Sequence, residues 1–316
     1  MPKISREDIQ IIIRNSNWSE SGVATFLEEH VYSNKPMWRK FLSLLLLGLG
    51  ISFSTAGIVF FFAYNWAHLH RFAKLGLIEG LVVLVFLCLF LIEARPLVKK
   101  TMLVGASVLV GVLWAVFGQV YQTGANAYDF FLVWTLSIAI WSFVSNFSPQ
   151  WVVFIALINI TLILYTEQVA RDWNGALLSL LLFAINSLFL LAFLMLPRFT
   201  RLKSRPSWFT SLLALTVATI GTVGVSGGIF DKANASFVFL LLSTIVLFGV
   251  GIGYGLKTKS LFYLSIIPFG LIIICCAFLL NISDDAGMLF AIGVFIIASI
   301  TLLIKTLLGL QKKWNT

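Results

Sequence analysis

Charge is what this 316-residue chain has least of: Asp, Glu, Lys and Arg make up 11% of it, against 59% hydrophobic residues. A mean hydropathy of +0.99 lies far from the mix of a soluble globular domain, and a soluble reading is excluded. Histidine and cysteine are also scarce, with 3 of each. Cys88, Cys275 and Cys276 all fall within apolar runs, where a disulfide framework is implausible and a small buried hydrophobe is the ordinary role. Period-2 alternation is absent as well, which excludes the strands of an outer-membrane barrel.

What the chain has instead is ten long apolar runs separated by short connections. A hydrocarbon core of about 30 Å takes about 20 helical residues to cross. The runs predict spans over Phe41–Asn65, Phe72–Ala94, Thr101–Tyr121, Tyr128–Ser145, Gln150–Thr166, Gly175–Leu196, Phe209–Gly228, Ala235–Leu256, Lys259–Leu280 and Ala286–Leu310. The expected fold class is all-α, a polytopic α-helical membrane bundle over residues 39–316.

Orientation follows from the side on which Lys and Arg collect. Lys3, Arg6, Arg14, Lys35, Arg39 and Lys40 precede the first span, and Arg95, Lys99 and Lys100 join the second to the third. Arg198, Arg201, Lys203 and Arg205 follow the sixth, Lys257 and Lys259 the eighth, and Lys312 and Lys313 close the tail. The opposite side has only Arg71, Lys74, Arg171 and Lys232. Both termini are therefore expected in the cytoplasm, the membrane being a bacterial inner membrane. The net charge of +9 is accounted for by this asymmetry and by attraction to anionic lipid at the cytoplasmic face, so nucleic acid is not an expected partner. The first run opens only at Phe41 and is too long for a signal-peptide core, so no cleavage is expected.

Residues 1–38 are expected to form a cytoplasmic amphipathic helical hairpin. Ser5 with Asp8 resembles a capping box ahead of Ile9, Ile12 and Ile13, and Ser19 can cap a second helix carrying Val23, Phe26, Leu27 and Val31 on one face. A unit this short rarely folds alone. Its apolar stripe calls for a protein partner, a sister subunit, the cytoplasmic loops or the membrane surface.

The densest polar and aromatic cluster is Gly118 to Asp129, on the outer connection between the third and fourth spans. Gln119, Gln122, Asn126 and Asp129 offer donors and acceptors beside the faces of Tyr121 and Tyr128, a set suited to a small polar or sugar-like solute. The alternative is a hairpin turn whose tyrosines join Trp114 and Trp134 in an interfacial aromatic belt. The run Gly118 to Trp134, through Gln119, Tyr121, Gln122, Thr123 and Gly124, resembles the bacterial predicted-membrane-protein family known as domain of unknown function 2157. That resemblance implies a multi-pass bacterial membrane protein with no agreed activity. Asn126 stands where the pattern leads one to look for an acidic residue.

Ionisable groups inside spans are functional candidates by default. Glu79 lies about two turns inside the second span and is a candidate proton or cation site, or a carboxyl that holds helices together. Glu93 and Lys305 are placed where pairing or snorkelling accounts for them. Asn159 and Asn186 read as interhelical ties.

Three motifs are set aside. Gly224-Val225-Ser226-Gly227-Gly228 matches the nucleophile-elbow string, but no histidine follows to act as base. Gly251-Ile252-Gly253-Tyr254-Gly255 resembles a potassium filter without its layout, and close helix packing through Gly249, Gly251, Gly253 and Gly255 is expected instead. His68 and His70 beside Asp284 or Asp285 make a weak metal signal. An echo, Ala125-Asn126-Ala127 with Ala233-Asn234-Ala235, suggests a parallel repeat of spans three to six and seven to ten.

Two functions follow. One is a transporter or channel for a small polar solute, with Gln119, Tyr121, Gln122, Asn126, Asp129 and Glu79 as the ligand-binding set. The other is a non-enzymatic membrane scaffold or envelope sensor that acts through its N-terminal hairpin on a protein partner or a second copy. An enzyme is not expected, since no acid, base or metal cluster is in evidence, and no cofactor is implied.

Overall fold

The structure, a computed structural model, describes residues 35–65, 69–91, 93–121, 124–199, 205–231 and 234–315. The hairpin expected before the first span lies outside the described residues except for residues 35–38, which open a helix. The described residues form α1 (Lys35–Asn65), α2 (Arg71–Leu91), α3 (Pro96–Tyr121), α4 (Ala127–Ser145), α5 (Ser148–Gln168), α6 (Gly175–Phe199), α7 (Ser207–Phe230), α8 (Ala235–Lys257), α9 (Leu261–Ile282) and α10 (Ala286–Asn315). All 10 are long and apolar enough to cross a membrane. The chain is a multi-pass α-helical membrane protein.

Several helices outrun the spans read from hydropathy. α1 begins at Lys35 rather than Phe41, α3 at Pro96 rather than Thr101, and α10 runs to Asn315 rather than Leu310. Hydropathy reports the thickness of lipid, whereas backbone hydrogen bonding continues into the polar interface. One start moves inward: Lys259 has φ 52 and ends α8 instead of opening α9. The Ser260 N–H donates to the Gly255 carbonyl at 2.9 Å, the six-to-one closure of a helix stopped by a left-handed residue.

Seven of the ten helix starts follow a rule. At one end of the chain's zigzag they are capped by Asn or Asp: Asp129 accepts the Asn126 N–H at 3.0 Å at the head of α4, and Asn174 accepts from Leu177 at 2.7 Å before α6. Asn234 accepts from Phe237 at 2.9 Å before α8, and Asp285 accepts from Met288 at 2.7 Å before α10. At the other end α3, α5 and α7 start around Pro96, Pro149 and Pro206, where a missing N–H costs nothing. The Ala-Asn-Ala echo is thus two helix caps.

The helices fall into two compact units, residues 1–120 and 121–316. The division assigns α3 to the first, so the span set three to six is not itself a compact unit. In the first, Phe62 of α1, Leu75 and Ile78 of α2, and Leu109 and Val116 of α3 form the core.

In the second, each helix packs on its successor, and α7 also meets α9 while α6 also meets α8. α7 lies at the centre because one face is small. A Cβ at Gly221 would come within 2.9 Å of Phe183, one at Gly224 within 2.6 Å of Ser179, and one at Gly228 would collide with Phe237. Of the glycines in α8, Gly251 and Gly255 pack against Ile267 and against Leu264 and Tyr263 of α9, while Gly249 and Gly253 meet nothing within 4 Å. A period of 3.6 puts residues four apart on one face and two apart on opposite faces. Only half of the expected glycine seam therefore forms.

Candidate functional site

Within the second unit, consecutive antiparallel helices sort charge by end. Asp129, Glu167, Asp172, Asp231, Asp284 and Asp285 all lie at the end where α4, α6, α8 and α10 begin, here called the acidic end. Arg205, Lys257, Lys259, Lys312 and Lys313 lie at the basic end.

The acidic end of the α4–α5 pair holds the most structured polar cluster. The Tyr128 N–H donates to the Gln168 side-chain carbonyl at 3.0 Å, and the Tyr128 ring meets Tyr165 edge to face at 5.4 Å. Tyr165 in turn meets Trp173 at 5.7 Å. Edge-to-face aromatic pairs contribute about 0.5 to 1.5 kcal/mol beyond area burial. This joins Asn126 and Asp129 to an amide and two aromatic rings that sequence reading passed over. Gln168 and Trp173 lie on the next connection on the same side of the bundle, so the alternation of helices was the signal for them; distance along the chain concealed it.

The remaining candidates lie on other elements. Tyr121, the last residue of α3, is 54% exposed, and Gln122 lies outside the described residues. Glu79 and Gln119 belong to the first unit. Glu79 is exposed on α2, about 12 Å from the helix start at 1.5 Å per residue. Gln119 lines an open cavity of about 670 Å³ between α1 and α3 with Val59, Phe62, Ala63, Val112 and Val116.

Below the cluster, α4 and α5 are tied twice more. The Thr135 and Thr161 hydroxyls lie 3.4 Å apart, and the Gln150 side-chain amide donates to the Ser142 hydroxyl at 3.0 Å with both residues 0% exposed. Asn159 and Asn186 exchange side-chain hydrogen bonds of 3.1 and 2.7 Å between α5 and α6, as ties expected from the sequence. Amides so paired have little capacity left for a ligand.

The two glycine-containing motifs set aside fall within helices. Ser226 sits inside continuous α7 with its hydroxyl buried and without a hydrogen-bond partner among the described residues, far from the strand-turn-helix an elbow requires. His68 lies outside the described residues. His70 accepts the Phe72 N–H at 3.4 Å, and Asp285 is engaged as the α10 cap. Among the described residues no three His, Cys, Asp or Glu gather as metal ligands would.

Neither a curated protein nor a solved structure matches the chain. Residues 20–151 match a family model described as predicted membrane protein, a stretch that takes in α1 to α4, the Gly118–Trp134 run and the start of α5. Over those residues, less than half of the chain, it is similar to the predicted-membrane-protein family called domain of unknown function 2157.

Proposed function

We propose that the protein is a non-enzymatic sensor or scaffold of the bacterial inner membrane, with the acidic end outside and both termini in the cytoplasm. In this reading the outer cluster receives a small polar solute, and residues 1–38 carry the response to a protein partner. The observation behind it is the α4–α5 pair: the cluster of Tyr128, Tyr165, Gln168 and Trp173 sits on two helices tied at their outer, middle and inner levels. Such a pair moves as one body, and a displacement at one end reaches the other.

Transport is the second reading. It is favoured by Glu79, a carboxylate on a membrane-spanning helix, and by the cavity that Gln119 lines; charges at such depth mark ion or proton paths. One comparison separates the two. Full-length protein is purified with whatever it carries, alongside Glu79→Gln and a variant lacking residues 1–34. The sensor reading expects a protein partner that is lost with residues 1–34 and retained in Glu79→Gln. Absence of that partner, with solute or proton flux into proteoliposomes abolished by Glu79→Gln, establishes transport instead. Orientation is tested by single cysteines in a background without the native ones: Asn126→Cys and Asp285→Cys should react with an impermeant reagent from outside, and Lys203→Cys should not. Labelling of Lys203→Cys alone reverses the topology.

A further inference from the structure

The basic end of the second unit has a feature that topology does not require. Orientation in a membrane depends on Lys and Arg, and Asp and Glu contribute little to it, yet residues 121–316 place every Asp and Glu side chain they possess at the acidic end. The charged side chains at the basic end are cations alone, drawn from the connections after α6 and α8 and from the end of α10. A cationic surface with its acidic residues removed attracts anions more strongly than a mixed surface of the same Lys and Arg content.

An apolar cleft opens in the same half of the bundle. It is bordered by Leu190 and Leu194 of α6, Leu247, Val250 and Tyr254 of α8, and Tyr263 of α9, and encloses about 70 Å³. Gly251 and Ile267 also line it, packed so closely that a Cβ on Gly251 would come within 2.5 Å of Ile267. The two tyrosines are at the basic end, three residues from Lys257 in α8 and four beyond Lys259 before α9, and their rings meet edge to face at 5.2 Å. Thr210 of α7 lies beside Tyr263, and Arg205 precedes that helix. Arg205 lies half-buried with its guanidinium 5.1 Å from the centre of the Phe193 ring, and no Asp or Glu of its unit is at that end to pair with it.

We propose that this cleft and the cations at its mouth form a binding site for an anionic phospholipid, one acyl chain seated between α6, α8 and α9 and the phosphate held by Lys257, Lys259 and Arg205. The occupant follows from charge complementarity: apolar walls take a hydrocarbon chain, and a mouth to which the described residues of the second unit bring cations and no Asp or Glu selects a phosphate headgroup that carries net negative charge over a zwitterionic one. The tyrosine hydroxyls lie at the boundary between the two, where an amphipathic ring is best accommodated. The site is separate from the outer cluster and stands or falls independently of it.

The full-length protein, stripped of lipid in detergent, is titrated with phosphatidylglycerol or phosphatidylcholine of identical chains, and bound lipid is counted by native mass spectrometry. Phosphatidylglycerol should be retained about tenfold better, the effect of one to two charge-assisted contacts. Combined Lys257→Gln, Lys259→Gln and Arg205→Gln should abolish that preference while leaving weak binding of both lipids. Val250→Trp fills the cleft from an exposed position and should reduce retention with every cation intact. Equal retention of the two lipids by the unaltered protein overturns the proposal. So does a Val250→Trp variant that folds and binds as before, or displacement of phosphatidylglycerol by inorganic phosphate, which would mean that the anion alone is recognised.

Discussion

The two units use the same residue types to opposite ends. In α1 and α2 the glycines Gly48, Gly50, Gly57, Gly76 and Gly80 have nothing within 4 Å of where a Cβ would be, whereas Gly221, Gly224 and Gly228 of α7 lie against neighbouring side chains. Polar groups divide likewise. Glu79 of α2 is exposed, whereas Gln150 and Asn186 are fully buried and hydrogen-bonded across helices. Helices in lipid gain nothing from burying apolar surface as such, because the tails are equally apolar; they gain from close backbone approach and from interhelical hydrogen bonds. The second unit has both and is the tighter body. The first has a small apolar core, buries small residues only on α3, at Ala106, Ser107 and Gly111, and leaves the glycines of α1 and α2 and the Glu79 carboxylate on open faces.

The largest effect should separate glycines of the two kinds. Gly224→Leu forces a branched side chain against Ser179 and Leu240 and should cost about 1 to 3 kcal/mol, read as a lower thermal midpoint in detergent or failure to accumulate. Gly80→Leu should cost less than about 0.5 kcal/mol by the same measurement. Similar losses at both sites would erase the distinction between the units.

Next in size is the buried amide pair. Asn186→Leu strands Asn159 and should cost about 1 to 2 kcal/mol, and adding Asn159→Leu should recover part of the loss because no amide is then left unpaired. A double variant as unstable as the sum of the two singles would mean that the amides do not act on each other. In the first unit, Glu79→Leu should cost no more than about 0.5 kcal/mol, as for other exposed positions. A larger drop would show Glu79 to be a structural tie.

The smallest effect concerns pH. Hydrogen bonds from the Met288 N–H and the Ser283 hydroxyl hold the Asp285 carboxyl below its ordinary value. Its contribution to the start of α10 is present above the ordinary carboxylate range and is lost as pH falls through the lowered folded value. Asp285→Asn keeps a cap without the titration, so the midpoint of that variant should fall less steeply on acidification. Parallel curves for the two proteins would place the acid sensitivity elsewhere.

The spans were legible in the sequence because the bilayer imposes one length and one chemistry on every crossing segment, and the ten runs needed no tertiary information to be counted. Helix ends were less legible. Lys259 closes α8 through a left-handed backbone that hydropathy does not register, and α1 is already helical at Lys35, Arg39 and Lys40, where the residues are charged. Asn159 and Asn186 were readable as ties because an amide in hydrocarbon has to find a partner; that they find each other was not readable. Asn126 and Asn234 looked like a repeated unit because helix starts draw on the same few capping residues.

The sequence by itself determined that the chain crosses a membrane through helices, and it determined which connections share a side, because apolar length and charge are properties of segments read one at a time. Tertiary structure alone decided that α3 groups with α1 and α2, that Gly251 and Gly255 meet α9 while Gly249 and Gly253 do not, and that Gln168 and Tyr165 close on Tyr128 from 40 and 37 residues away. Packing between helices depends on which faces meet and at what rotation, and in a chain apolar on nearly every face the hydrophobic pattern leaves that choice to side-chain shape and to pairs of hydrogen-bonding groups.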